Sequence, residues 1–171
     1  MLLKYSNLEG FRHRFQNTLI NKNKINMDFR EAKVEDIKQI QDVRNSVKEN
    51  KLSDPNLITE KDYQDHLTKK GKGWVCVIKN LIVGFAIVNT ENNNVWALFV
   101  APKFEDQGIG KQLHNMMLNW YFQQTKTPIW LSTAPDTRAE RFYKFSEWTE
   151  AGITDKGEVK FEMTAEKWQN L

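Results

Sequence analysis

The chain has 171 residues, with 25 Lys and Arg against 22 Asp and Glu and a net charge of +3; that length suits one domain with a sizeable core. The excess charge is local, because Lys4, Arg12, Arg14, Lys22 and Lys24 face Glu9 alone in residues 1–26, and a nearly neutral remainder lacks the broad basic footprint of a nucleic-acid binder. No apolar run reaches the ~20 residues of a bilayer span, no signal-peptide core opens the chain, and the lone Cys76 excludes an internal disulfide and fits a reducing compartment. The expected location is the cytoplasm, with neither nucleic acid nor membrane as partner.

Residues 1–26 read as a basic N-terminal extension, an accessory helix or tail with a weak likeness to a transit peptide, and the domain is expected over 27–171. "INMDFREA" alternates as a short strand, and "KVEDIKQIQDVRNSV" sets Val34, Ile37, Ile40, Gln41, Val43 and Val47 at helical spacing. "KENKLSDPNLIT" breaks that period, and Thr59 with Asp62 forms the capping-box start of a helix in "EKDYQDHLTKK". Three β-rich runs follow, "GWVCVIKN", "LIVGFAIVNTE" and "NNVWALFVAP", with hairpin turns at Lys79-Asn80 and at residues 91–94. Past two glycines comes a helix with Leu113, Met116, Met117, Trp120 and Tyr121 as its apolar face. A strand in "PIWLSTA", a helix in "DTRAERFYKFSEW" and a last strand in "GEVKFEM" complete the chain. The fold class is α/β (α+β), with an antiparallel meander at the centre.

The turn in "LFVAPKFEDQGIGKQLHNMML" carries the chemistry. Pro102 ends the strand, Gly108 and Gly110 admit close backbone approach, and the helix starting near Ile109 points free N–H groups and its positive dipole end into the turn. That is a site for a phosphate or pyrophosphate, with Lys111 beside it. A P-loop is excluded, since Glu105 stands where its first glycine belongs and Gln112 where its hydroxyl belongs. A dinucleotide fingerprint fails at Leu113, where it needs a third glycine. For two glycines alone, the competing reading is an ordinary strand-to-helix connection.

The wider order resembles the GNAT family of N-acetyltransferases across residues 27–163. "EDQGIG" at 105–110 matches that family's Gln/Arg-x-x-Gly-x-Gly/Ala in both glycines, with Glu105 departing at the first position. "DTRAERFYKFSEW" keeps Ala139 and Tyr143 of Asn-x-x-Ala-x-x-x-Tyr, with Asp136 for Asn, Glu147 for Gly and Trp148 for Phe. With "RNSVKENKLSDP" and "WALFVAP", these stretches resemble a subgroup of that family. The resemblance implies a mixed, mostly antiparallel central sheet flanked by helices, acetyl-CoA as co-substrate, and main-chain amides of Gln107, Gly108, Ile109, Gly110 and Lys111 around the pyrophosphate of coenzyme A, with Ala139 and Tyr143 also in the coenzyme site.

Acetyl transfer from a thioester to an amine needs a polarised carbonyl, a neutral amine and a protonated leaving thiolate. Tyr143, placed by the resemblance beside the coenzyme sulfur, is the expected general acid; a core tyrosine is the competing reading. The carbonyl polariser is expected to be the main-chain N–H of Val100 or Phe99. No carboxylate lies along "VWALFV", so the base is expected to be Glu49, with Glu158 and a water relay as alternatives. The three histidines are scattered, Cys76 has no companion at ligand spacing, and no metal is expected; Cys76 reads as a buried apolar residue rather than a nucleophile. The expected acceptor is an amine of a small molecule or amino-acid-like compound, with Trp74, Trp96 and Trp148 lining a pocket and Glu49, Asp54 and Glu158 attracting the cation. A protein N-terminus or lysine is the second acceptor class. A silent coenzyme A-binding module is the alternative function, and a homodimer stays open.

Overall fold

Strands β1 (Asp28–Glu31), β2 (Gly71–Ile78), β3 (Leu81–Asn89), β4 (Asn94–Val100), β5 (Ile129–Thr133), β6 (Thr149–Ile153) and β7 (Val159–Met163) form one sheet in the order β1-β2-β3-β4-β5-β7-β6. The computed structural model describes residues 26–51, 54 and 57–171. The expected basic extension, Asn26 apart, and Leu52, Ser53, Pro55 and Asn56 of "KENKLSDPNLIT" lie outside the described residues. Every neighbouring pair is antiparallel except β4 and β5, which run parallel and share one register pair, Asn94 with Trp130. Beyond that pair the two strands part.

Helices α1 (Ile37–Ser46), entered through a 3-10 turn at Val34–Asp36, and α2 (Glu60–Thr68) lie on one face of the sheet. Helices α3 (Ile109–Gln124) and α4 (Arg138–Phe145) lie on the other, and α5 (Ala165–Gln169) closes the chain. Strand alternation divides the core accordingly. Trp74, Cys76, Val83, Ala86 and Leu98 pack against Leu113, Met117 and Tyr143, while Val75, Phe85, Ile87 and Phe99 pack against Ile37, Ile40, Val43 and Tyr63. Gly84 sets the depth of α3, because a β-carbon there would meet Ile109 Cγ2 at 3.0 Å and Leu113 Cδ1 at 3.2 Å.

Lys79 (φ 48°) and Asn80 (φ 66°) take the paired left-handed conformation of a two-residue hairpin, as expected, and the Thr59–Asp62 capping box is formed on α2. The second hairpin turn spans residues 90–93, one position earlier than the expected 91–94, because β3 ends at Asn89 and Asn94 belongs to β4. The inward face of α3 is rotated from the expected one. Leu113, His114, Met117, Leu118, Tyr121 and Phe122 are buried, and Met116 and Trp120 are only partly covered. Strand β6 and helix α5 were not expected: all five residues of "TEAGI" are exposed, so β6 shows no alternation to read.

Candidate active site

Gly108 is the N-cap of α3 and sits at φ +80°, ψ 0°, with no side chain capping the helix. A β-carbon there would meet nothing within 4 Å, so the left-handed backbone, not crowding within the protein, is what demands glycine. The first main-chain bond into the helix is Gln112 N–H to Gly108 O, at 3.0 Å. None of the N–H groups of residues 107–111 donates to a protein acceptor among the described residues. Backed by the dipole of a 16-residue helix, these amides form a concave donor set suited to a pyrophosphate. Lys111 is exposed beside them.

The departure at Glu105 is answered by Arg138, the first residue of α4. Its Nη1 donates to Glu105 Oε2 at 2.9 Å and its Nη2 to Asp106 Oδ1 at 2.7 Å, while its main-chain N–H donates to Glu49 Oε2 at 2.7 Å. One arginine thus ties the glycine turn to the start of α4 and to the loop after α1. With the Arg138 side chain 44% exposed, the two ion pairs contribute at most about 1 kcal/mol each. Glu49 serves as an acceptor at the α4 N-terminus, a role its sequence position does not disclose. Ala139 packs in the next position, partly buried.

Strand parity decides which amides open into the gap between β4 and β5. Ala101 N–H donates to Val83 O at 2.8 Å, and Phe85 lies opposite Phe99. In an antiparallel pair alternate residues exchange bonds, so the Phe99 N–H is used by β3, and the N–H groups of Leu98 and Val100 face the gap. Of the two amides expected to polarise a carbonyl, that of Val100 faces the gap, as does that of Leu98, and that of Phe99 is turned to β3. The signal lies in pairing register, which composition does not carry.

Tyr143 is 7% exposed, its ring packed against His114, Phe142, Trp148 and Phe161. Burial pushes its phenol pKa well up, so it holds its proton at neutral pH. Its hydroxyl has no partner among the described residues and is not among their fully sealed side-chain polar atoms. Trp148 occupies the Phe position of the resemblance and brings an N–H that a Phe would lack. That N–H donates to His114 Nε2 at 2.9 Å, which fixes the His114 proton on Nδ1, facing Asn115 Oδ1 at 3.3 Å. Burial lowers the His114 pKa to about 4, so the ring is neutral.

The expected aromatic pocket is not formed. Trp74 is buried against Trp120, with centroids 5.7 Å apart, and Trp148 is buried on His114. Trp96 stands apart on the α2 face, half-buried, stacked on His66 at 4.0 Å. Glu158 is half-buried at the head of β7, where Ser132 Oγ–H donates to its Oε2 at 2.6 Å. Cys76 is fully buried and its thiol is pushed up to about 11, mainly by burial, so it is not a nucleophile at neutral pH. Among the described residues no group of three or more His, Cys, Asp or Glu is placed to hold a metal ion, and no helix is long and apolar enough to cross a membrane.

A residue that sequence reading passed over sits at the mouth of the gap. Arg44 of α1 is 8% exposed, with its guanidinium carbon 4.2 Å from the Phe99 ring centroid and its Nη2 donating to Asn50 O at 2.7 Å. Asn50 in turn reaches β5, donating from Nδ2 to Thr133 Oγ1 at 3.2 Å and accepting from Ala134 N–H at 3.3 Å. The stacking contributes about 2 kcal/mol when desolvated and the charged hydrogen bond about 1.5–3 kcal/mol, set against a burial cost of several kcal/mol per ion.

The profile of the Acetyltransferase (GNAT) family matches residues 35–146. No curated protein sequence matches the chain. Among solved structures, the PaiA N-acetyltransferase of Thermoplasma acidophilum in complex with coenzyme A superposes with a TM-score of 0.69 at 13% identity, over 81% of this chain and 99% of that one. A GNAT acetyltransferase of Staphylococcus aureus gives 0.70 at 17% identity, over 82% and 99%. A chimera of the Vibrio cholerae spermidine N-acetyltransferase gives 0.66 at 15%, over 85% and 99%. At these identities the solved structures speak to the fold, and the profile, which covers well over half of the chain and both the glycine turn and Tyr143, places the protein in the GNAT family of acetyl-CoA-dependent N-acetyltransferases.

Proposed function

We propose that the chain transfers an acetyl group directly, in a ternary complex, to the amine of a small-molecule, amino-acid-like acceptor. The observation that carries this reading is the run of amides at residues 107–111 that have no acceptor among the described residues, set beside a strand whose Leu98 and Val100 N–H groups open into the β4–β5 gap. Acetyl-CoA supplies the activated acyl group. Gln107, Gly108, Ile109, Gly110 and Lys111 hold its pyrophosphate, and the small Ala139 leaves room at the first turn of α4. The Leu98 and Val100 amides polarise the carbonyl, donors already fixed by the strand and so free of reorganisation cost. Tyr143 gives its proton to the departing thiolate, as a phenol that is protonated at neutral pH.

Glu158 takes the amine's proton, since one of its oxygens is anchored by Ser132 and the other has no partner among the described residues. Glu49 acts as a positioning group that holds the start of α4, and with it Tyr143. A silent coenzyme A-binding module is the second reading, favoured by the engagement of Glu49. Thiol release from acetyl-CoA across an amine panel separates the two: acceptor-dependent release supports transfer, and coenzyme binding without release for any amine supports the module.

A further inference from the structure

Arg44 has no task in that scheme, and its charge is unmatched by any carboxylate among the described residues. Of its five N–H donors, one is engaged, by the Asn50 carbonyl, and no carboxylate pairs with it among the described residues. The other donors are not sealed away, because Asn94 Oδ1 is the one fully buried, unpartnered side-chain polar atom described. Tyr63 of α2 lies alongside, its phenol pKa raised by burial and opposed by the guanidinium charge. It is 2% exposed, and its hydroxyl likewise has no partner among the described residues and is not fully sealed.

The position is as telling as the charge. Phe99, under the guanidinium, lies between the two residues whose amides face the gap, and Asn50 reaches the end of β5 on the gap's other side. Arg44 therefore stands over the reacting edge of the sheet on the α1 face, with the pyrophosphate turn on the α3 face. A guanidinium fork offers paired donors to a planar anion, and a buried cation lacking its anion repels a polycation.

Building on the acetyltransferase reading, we propose that Arg44 and the Tyr63 hydroxyl bind a carboxylate of the acceptor, so that the acceptor class is an amino acid or related aminocarboxylate and not a polyamine.

The test uses the full chain with acetyl-CoA and three acceptor sets: free amino acids, the matched amino-acid amides, and spermidine. The expected result is a kcat/KM for the preferred acid about 10²-fold above its amide, with spermidine below both. In Arg44→Met that ratio falls toward one while coenzyme A affinity is retained. Should Arg44→Met fail to fold, Arg44→Lys keeps the charge and loses the fork, and a partial fall in the same ratio is expected. A measurement independent of turnover is the Arg44 Nε–H resonance of the parent protein saturated with coenzyme A, which should move on adding N-acetylalanine and stay still with N-acetylalanine amide. Equal turnover of acids and amides, or a resonance that ignores the carboxylate, overturns the site and leaves the acetyltransferase reading standing. Loss of coenzyme A binding strikes that reading instead.

Discussion

The indole N–H of Trp148 needs an acceptor that phenylalanine in its place would not, and His114 Nε2 provides it. The linkage sign follows from the depressed His114 value. Above pH 6.5, the ordinary imidazole value, the ring is neutral folded and unfolded, and the contribution is fully present. As pH falls from 6.5 to about 4, the unfolded chain binds a proton that the folded one refuses, and stability on the order of 3 kcal/mol is lost, with no further loss below. Urea denaturation between pH 4 and 7 should show that slope, and His114→Gln, which keeps an acceptor for the indole, should flatten it. Tyr143→Phe keeps the ring contacts and removes the donor, so the single-turnover rate of acetyl transfer should fall by about 10²–10⁴ with coenzyme affinity intact; an unchanged rate would remove Tyr143 from the mechanism. Glu147 stands at φ 62° where the resemblance has Gly, and Glu147→Gly should stabilise the fold by up to about 1 kcal/mol, since an L residue is strained there. Tyr143, Ala139 and the two glycines were legible because each is a residue type at a fixed spacing. His114 was not: its partner is 34 positions away in sequence, and nothing local links the two.

At the scale of elements, the glycine turn and α3 act as one device. Gly108→Val places a β-branched side chain at φ +80° and turns the donor set, so the rise in melting temperature that acetyl-CoA should give the parent is expected to vanish; a variant that binds coenzyme A as tightly as the parent would defeat the cradle assignment. The turn could be read from two glycines after a strand, and the α2 capping box from Thr59 and Asp62. The inward face of α3 could not be read as closely, because "HNMMLNWYF" offers apolar residues all round the helix and sheet contact selects Leu118 over Trp120. Parity on β4 was likewise closed to sequence: a register shift between Ile87 and Val88 resets which amides face β3, and only pairing reveals it. The Arg44 position was legible as helical yet not as buried, because a charged residue is ordinarily assigned to solvent.

For the whole molecule, the described sheet and both core layers lie within residues 27–171, so a chain starting at Met27 is expected to fold and bind coenzyme A; loss of soluble protein on that truncation would show that residues 1–26 complete the core or an interface. The gap between β4 and β5 also divides the molecule mechanically. A single register pair joins β4 to β5, whereas β2–β3 and β5–β7 are laddered along their lengths. The sheet is in effect two plates joined along a line of few hydrogen bonds, with Asn50 and Arg138 as stitches across it. Sub-global opening should follow that line: in hydrogen exchange, amides of β5, β6 and β7 should share one opening free energy and those of β2 and β3 a higher one. Coenzyme A, gripping both plates, should draw the two values together.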